Sequence, residues 1–152
     1  MGRKYKATMF LSAFDTANNT MVSITTGSGK VTILRGFRLE QSSDYGDAAA
    51  EGLRVQLLKG TGGGGNGTVI TAVPLSPADT AFAGVVRADP DTITTTTIIQ
   101  EFGMNIQAGV LDTPPEGWGL EISGSMIVGL LMVTDPADAI DFELTLDLEE
   151  LG

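Results

Sequence analysis

From Ile140 to Glu149 the chain alternates apolar and polar residues without a break. Ile140, Phe142, Leu144, Leu146 and Leu148 stand against Asp141, Glu143, Thr145, Asp147 and Glu149. Successive side chains of a strand point to opposite faces, so this period describes a half-buried strand. A helix would gather Ile140, Leu144 and Leu148 on one side but throw Phe142 and Leu146 to the other. The same alternation recurs in Val31, Ile33, Phe37 and Leu39 against Thr32, Gly36, Arg38 and Glu40, and in Leu53, Val55 and Leu57 against Arg54 and Gln56. Further strands are expected over residues 6–12, 20–25, 68–73, 85–88, 92–99, 102–107, 119–123 and 125–134, the β-branched run Thr94 to Ile99 among them. Turn-forming stretches separate them: 27–29, 42–47, 60–67, 74–79, 89–91 and 112–117. That spacing predicts an all-β chain, an antiparallel β-sandwich or jelly roll of about eight to ten strands. The only helical pieces expected are single turns at Asp47 to Gly52 and Ser76 to Phe82, the second with Ser76-Pro77 as N-cap and first helical position.

With 152 residues the chain fits one domain, which at that size buries roughly 70% of its unfolded surface without disulfide or metal. No interdomain linker or internal repeat is visible. The glycine-rich stretch Gly60 to Gly67 reads as a long, flexible hairpin tip. Residues 1–14 read as a basic, extended N-terminal arm of the mature chain, and residues 15–152 as a single β-sandwich domain. The apolar part of that arm is too short and interrupted for a signal peptide.

Histidine and cysteine are both absent. This excludes the Ser-His-Asp triad, thiolate nucleophiles, Cys-type zinc sites and HExxH metalloproteases. Gly60-Thr61-Gly62-Gly63-Gly64-Gly65 satisfies GxGxxG, but a strand rather than a helix is expected after it, so no helix N-terminus is there to hold a pyrophosphate. Gly27-Ser28-Gly29-Lys30 lacks both the first glycine of a P-loop, where Ile24 stands, and its Ser or Thr, where Val31 stands. The loop aspartates Asp44, Asp47, Asp89, Asp91, Asp135 and Asp138 do not follow EF-hand spacing and read as turn formers. The expectation is a protein that is not an enzyme and holds no cofactor or metal.

Charge is unevenly spread. Nine bases and nineteen acids give a net charge of −10, which disfavours nucleic-acid binding through phosphates. Residues 1–60 hold eight bases and five acids, whereas residues 61–152 hold Arg87 and fourteen acids. Two arrangements fit: the halves interleave in one sandwich and cancel locally, or the basic arm docks on an acidic surface of a second copy or a partner. In the docking case the contact residues are Arg3, Lys4, Lys6, Met9, Phe10 and Phe14. The run Met126 to Val133 is apolar on both faces, which suits a central strand covered on both sides or one covered by another subunit. Met126, Val128, Leu130 and Met132, with the sole tryptophan Trp118, are therefore candidates for an oligomer interface. No apolar run approaches the roughly 20 residues of a membrane span.

The stretch Leu34-Arg35-Gly36-Phe37-Arg38-Leu39-Glu40-Gln41-Ser42-Ser43-Asp44, followed by Ala48-Ala49-Ala50-Glu51-Gly52-Leu53-Arg54-Val55-Gln56-Leu57, resembles small β-rich virion-associated proteins of tailed bacteriophages. Val73-Pro74-Leu75-Ser76-Pro77-Ala78-Asp79, Phe102-Gly103-Met104-Asn105-Ile106-Gln107-Ala108-Gly109 and the closing strand ending in Glu149-Glu150 continue the likeness over roughly residues 31–150. The resemblance lies in pattern and turn phrases. It implies a capsid decoration, or cement, protein on the outer virion surface, working as a homo-oligomer, commonly a trimer, with the major capsid protein as partner. A carbohydrate- or receptor-binding jelly roll of a phage tail or bacterial surface protein is the alternative, with Trp118 and Tyr45 exposed beside loop carboxylates.

Overall fold

The C-terminal alternation forms the middle of a sheet. The computed structural model describes residues 2–14, 19–43, 52–105, 109–112 and 118–152. Its strands, in chain order, are β1 (Arg3–Phe14), β2 (Asn19–Thr25), β3 (Val31–Gln41), β4 (Gly52–Gly60), β5 (Thr68–Ile70), β6 (Val73–Pro74), β7 (Val85–Ala88), β8 (Thr97–Asn105), β9 (Val110–Asp112), β10 (Leu120–Ser123), β11 (Ile127–Met132) and β12 (Ile140–Leu151). One sheet, A, runs β10-β3-β12-β1-β6, with β9 also on β3; the other, B, runs β5-β7-β2-β11-β4-β8. Every pairing is antiparallel.

The pairings nest. β1 pairs with β12, β2 with β11, β3 with β10 and β4 with β8, as if one long hairpin had been rolled up. Each nested pair lies within one sheet and the next pair inward lies in the other sheet; the alternation ends at β5 and β7, which pair inside β4 and β8 and stay in sheet B with them. That is the jelly-roll order, an all-β sandwich as the alternation predicts. Between the sheets lie Ile140, Phe142, Leu144, Leu146 and Leu148 of β12, all buried, packed with Phe37 and Leu39 of β3, Leu53 and Val55 of β4, and Val128, Leu130 and Met132 of β11.

The N-terminal segment is not an arm. Residues 3–14 form β1, which sits inside sheet A between β12 and β6. Tyr5, Ala7, Met9, Leu11 and Phe14 point into the core, and the Phe14 ring meets Phe142 edge-on with centroids 6.3 Å apart. Met9 and Phe14 are thus core residues, which corrects their expected role as partner contacts. On the other face of β1, Lys4, Lys6 and Phe10 are exposed.

This placement also resolves the charge asymmetry. The acidic face of β12 lies between the bases of β1 and β3. Lys6 Nζ is 3.3 Å from Asp147, Lys4 stands opposite Glu149, and the Arg35 guanidinium reaches Glu149 at 2.6 Å. Of the two arrangements, the halves interleave: the basic N-terminal strand neutralises the acidic C-terminal strand of its own chain.

The apolar run 126–133 yields β11, and Val128, Leu130 and Met132 belong to the core rather than to an exposed interface. Its opposite face is covered by the chain itself. Two segments of the β4–β8 connection, 61–65 and 91–94, cross the outer face of sheet B as a strap. They are joined by Thr94 N–H to Gly62 O (2.7 Å), Gly64 N–H to Asp91 O (3.1 Å) and Asp91 N–H to Gly65 O (2.9 Å). Ile93 of the strap closes a small cluster with Leu58, Ile127 and Leu131. Ser23 Oγ, buried beneath, donates to Gly64 O at 2.7 Å.

The glycine-rich stretch is therefore a packed crossing, not a flexible hairpin tip. β4 and β5 share sheet B but are separated there by β7, β2 and β11. Gly64 has a φ of 65°, and a Cβ on it would approach Ile127, Ile93 and Ser23 to within 3.1–3.3 Å.

Other expectations shift as well. The strands expected at 92–99 and 102–107 are one strand, β8, because residues 92–94 belong to the strap and Thr95, with a φ of 52°, separates them from β8. The segment 68–73 divides into β5 and the start of β6, which lie in different sheets. β9 is a strand that was not expected, and it shares only Asp112 with the expected turn 112–117. Ser76 to Phe82 makes a turn closed by Asp79 N–H to Ser76 O (3.0 Å) and no helix. The helical turn expected at Asp47 to Gly52 lies, apart from Gly52, outside the described residues, as do Tyr45 and residues 106–107.

Candidate interaction surface

Rolling up the hairpin leaves the sandwich with two open sides. On one, sheet A ends in the two-residue β6 and sheet B in the three-residue β5. Strands that short offer little free backbone, a usual way of blunting a sheet edge. Phe10, Val69, Val73 and Leu75 are exposed there, above a depression of about 210 Å³ lined by Phe10, Leu11, Phe14, Thr68, Ile70 and Asp89.

The other side is different. Sheet A ends in β9 and β10, and sheet B in β8, a nine-residue strand whose one strand neighbour among the described residues is β4. Between the two edges opens a cleft of about 190 Å³, walled by Leu34, Phe37, Leu57, Ile99, Leu120 and Trp118. Gln100 and Asp112 bring the polar side chains that line it. Phe37 of its wall also meets the Phe102 ring of β8 across the two sheets, with centroids 5.4 Å apart.

Trp118 stands at the mouth and is 71% exposed. Two local features put it there. A Cβ on Gly119 would lie 2.5 Å from Ile33 Cγ2 and 2.9 Å from Leu34 O, so the glycine lets the chain press against β3 directly after the tryptophan. Arg35, held by Glu149, donates from Nη1 to Trp118 O at 2.6 Å. Ile98, Ile99 and Leu111 are exposed on the same side. Of the residues expected at an oligomer interface, then, Trp118 is on the surface, Met126 is half-buried against the core, and Val128, Leu130 and Met132 are inside. Ile98, Ile99 and Leu111 were not singled out by sequence. Their one signal is that Ile98 and Ile99, adjacent on a strand, cannot both face the same core.

The charge on β8 is Glu101, and it is neutralised locally. Gln56 Nε2 donates to one carboxylate oxygen at 2.5 Å and Arg54 Nη2 to the other at 2.8 Å. The Gln56 hydrogen bond first, and then Arg54, hold the Glu101 carboxyl below its ordinary value of 4.5. A lowered folded-state pKa means that its stabilising contribution is present above the ordinary value and is lost as pH falls through the folded one. Replacing Gln56 by Ala is expected to move the Glu101 carboxyl back up toward its ordinary pKa, read by NMR titration of the side-chain carbonyl carbon. An unchanged midpoint would remove Gln56 as the main cause.

Among the described residues no group of three or more His, Cys, Asp or Glu side chains is arranged to hold a metal ion, and no helix is long and apolar enough to cross a membrane. Asp91 accepts from Asn66 Nδ2 at 2.5 Å, and Asp141 caps Ala13 N–H at 2.7 Å. Comparison with protein-family models, with curated proteins and with solved structures finds no match to this chain.

Proposed function

We propose that this chain is a structural protein of a tailed-phage virion, one that binds the outer capsid surface and stabilises the lattice of the major capsid protein as a decoration protein. The observation that supports it most is the contrast between its sides. The charged face of sheet A is neutralised within the chain and the outer face of sheet B is covered by the chain's own strap, yet the open sides expose apolar groups, Phe10, Val69, Val73 and Leu75 on one and Ile98, Ile99, Leu111 and Trp118 around an apolar cleft on the other. Exposed apolar groups gathered in one place mark a contact surface. Jelly rolls serve in capsid proteins and in lectins alike, so the fold does not choose between them and the site must.

The site favours protein over sugar. A sugar ring needs several converging hydrogen-bond groups besides an aromatic platform. Here the cleft offers Gln100 and Asp112 against six apolar side chains. The carbohydrate reading keeps one observation in its favour, the outward-facing Trp118 beside Asp112.

Virions purified from the strain that encodes the chain provide the test. Mass spectrometry is expected to find the chain in them, accessible to surface labelling of intact particles, and shells depleted of it are expected to disassemble at lower temperature. Particles without the chain overturn the proposal. Binding to a glycan array that Trp118→Ala abolishes would move the assignment to the carbohydrate reading.

A further inference from the structure

Asn66-Gly67 is the one Asn-Gly pair in the chain, and it stands where the strap turns into β5. Asn66 has a φ of 52° and Gly67 one of 62°, two successive left-handed residues that bend the chain tightly, and both are exposed. Two contacts hold the asparagine. Its Nδ2 donates to Asp91 Oδ2 at 2.5 Å, and its carbonyl oxygen accepts from Arg87 Nη1 at 3.0 Å. Asp91 is also the residue whose backbone ties the two segments of the strap, with its oxygen on Gly64 N–H and its N–H on Gly65 O. The Asn66 side chain is thus a clasp at the end of the strap.

We propose that Asn66 is a site of spontaneous deamidation and that loss of its amide unfastens the strap. The Gly67 backbone nitrogen, giving up its proton to solvent, attacks Asn66 Cγ. The new bond closes a succinimide ring, the bond from Cγ to Nδ2 breaks, and Nδ2 takes a proton from solvent and leaves as ammonia. Water then adds to either ring carbonyl and opens the ring, giving aspartate or isoaspartate at position 66. One water is consumed and one ammonia released, and no oxidant or reductant is needed.

Glycine presents the least obstructed nitrogen for this attack. The other asparagines, Asn18, Asn19 and Asn105, precede Asn19, Thr20 and Ile106, each with a side chain beside the attacking atom. The hydrogen bond to Asp91 restrains the amide, so the reaction proceeds through openings of the bend. An exposed bend leading into a three-residue strand at the margin of sheet B is the kind of place where local opening costs little.

Either product undoes the clasp. A carboxylate at position 66 has no proton to donate to Asp91 and repels it, while Arg87, already on the backbone of residue 66, draws it away. Isoaspartate also lengthens the main chain by one carbon between Gly65, whose oxygen must meet Asp91 N–H, and Gly67, which lies so close to β7 that a Cβ would stand 2.5 Å from Ala88 O. A strap loosened in this way bares Leu58, Ile127 and Leu131 beneath Ile93. The change runs one way, from a covered outer face of sheet B to an apolar one.

The folded full chain, aged in mildly alkaline buffer and mapped by peptide mass spectrometry, provides the test. Asn66 is expected to lose its amide ahead of Asn18, Asn19 and Asn105, with aspartate and isoaspartate both formed. The aged form, separated by anion exchange on its added negative charge, should keep the far-ultraviolet circular dichroism of the parent. Its amide exchange at Gly64, Asp91 and Thr94 should quicken by about tenfold or more, as the loss of one hydrogen bond to a charged group implies. Asn66→Gly, which suits the left-handed bend and has no amide to lose, should show no change in strap exchange with age. An Asn66 that keeps its amide until the protein unfolds, or loses it no sooner than Asn105, overturns the proposal. So does an aged form whose strap exchanges like the parent's, or an Asn66→Gly chain whose strap loosens with age all the same.

Discussion

Removal of residues 1–12 is expected to abolish the fold, where loss of a peripheral arm would leave it intact. The deletion takes Tyr5, Ala7, Met9 and Leu11 out of the core. Burying a large apolar side chain contributes about 1.5–3 kcal/mol. Tyr5, Met9 and Leu11 together are then worth on the order of 5–9 kcal/mol, and a domain of ordinary stability has only about 5–15 kcal/mol in all. The ladder between β1 and β12 goes with them, from Arg3 opposite Glu150 to Leu11 opposite Phe142. So do the hydrogen bonds that tie the 75–84 loop to the sheet, Tyr5 Oη to Thr80 O at 3.1 Å and Arg3 Nη1 to Thr80 Oγ1 at 2.6 Å. β12 would become an edge strand with Lys4 and Lys6 stripped from its acidic face. The truncated chain should show no cooperative thermal transition by circular dichroism or calorimetry and should aggregate on concentration. A cooperative transition within a few degrees of the parent would show that β1 is dispensable. Neutralising Lys4 and Lys6 to Gln, by contrast, removes one exposed pair, Lys6 with Asp147, worth at most about 1 kcal/mol, and a charge opposite Glu149, and should leave the fold in place.

The difference between these outcomes marks what local sequence conveys. Alternation over five to ten residues is a local property, and it identified β3, β4 and β12 with their buried faces. Residues 6–12 carry the same period, and the strand was legible there too. Its position at the heart of sheet A was not, because a partner 137 residues away, as Thr8 is from Thr145, leaves no trace in a short window. Basic residues on the outer face of β1 suggested a docking arm, whereas they answer the acids of β12. The connection between β4 and β8 failed for another reason. Glycine runs and threonine runs have strong local associations, with flexible loops and with strands, yet here both are consequences of a crossing over a sheet. Gly64 is small because Ile127 and Ser23 lie beneath it, and Thr94 pairs with Gly62 rather than joining a sheet. The two-sided apolar run of β11 fits cover by its own chain or by another subunit equally well, and Val128, Leu130 and Met132, expected at an interface, lie in the core; that the outer cover is Ile93, more than thirty residues earlier in the same chain, follows only from the fold. At the open side, the exposed isoleucines of β8 carry no local pattern apart from being adjacent, and a pattern of that length says nothing about which sheet margin they occupy.

Gly129→Ala should unseat the strap. The glycine interrupts the apolar run of β11, and in a strand interior it forgoes both side-chain packing and conformational restriction. Its neighbours account for it: a Cβ would lie 2.5 Å from Ile93 Cδ1 and 2.5 Å from Val22 O. The isoleucine tip can swing aside. The carbonyl cannot do so as readily, because Val22 is paired with Leu130 on one side and Ala88 on the other. Overpacking of this kind costs typically about 1–3 kcal/mol, and for a domain of this size each kcal/mol lowers Tm by about 2–4 °C. A fall of roughly 2–12 °C is therefore expected. The damage should be local before it is global. Hydrogen exchange ought to accelerate first at Gly64, Asp91 and Thr94, whose amides hold the strap, while β12 amides keep their protection. Combining it with Ile93→Ala separates the two clashes. If Ile93 is the main obstacle, truncating it should cost less in the Gly129→Ala background than in the parent, by an interaction energy on the order of 1 kcal/mol. If the carbonyl is, the two losses add. An alanine at 129 that changed neither Tm nor strap exchange would mean that Ile93 does not sit on β11, and the outer face of sheet B would then be open to a partner after all.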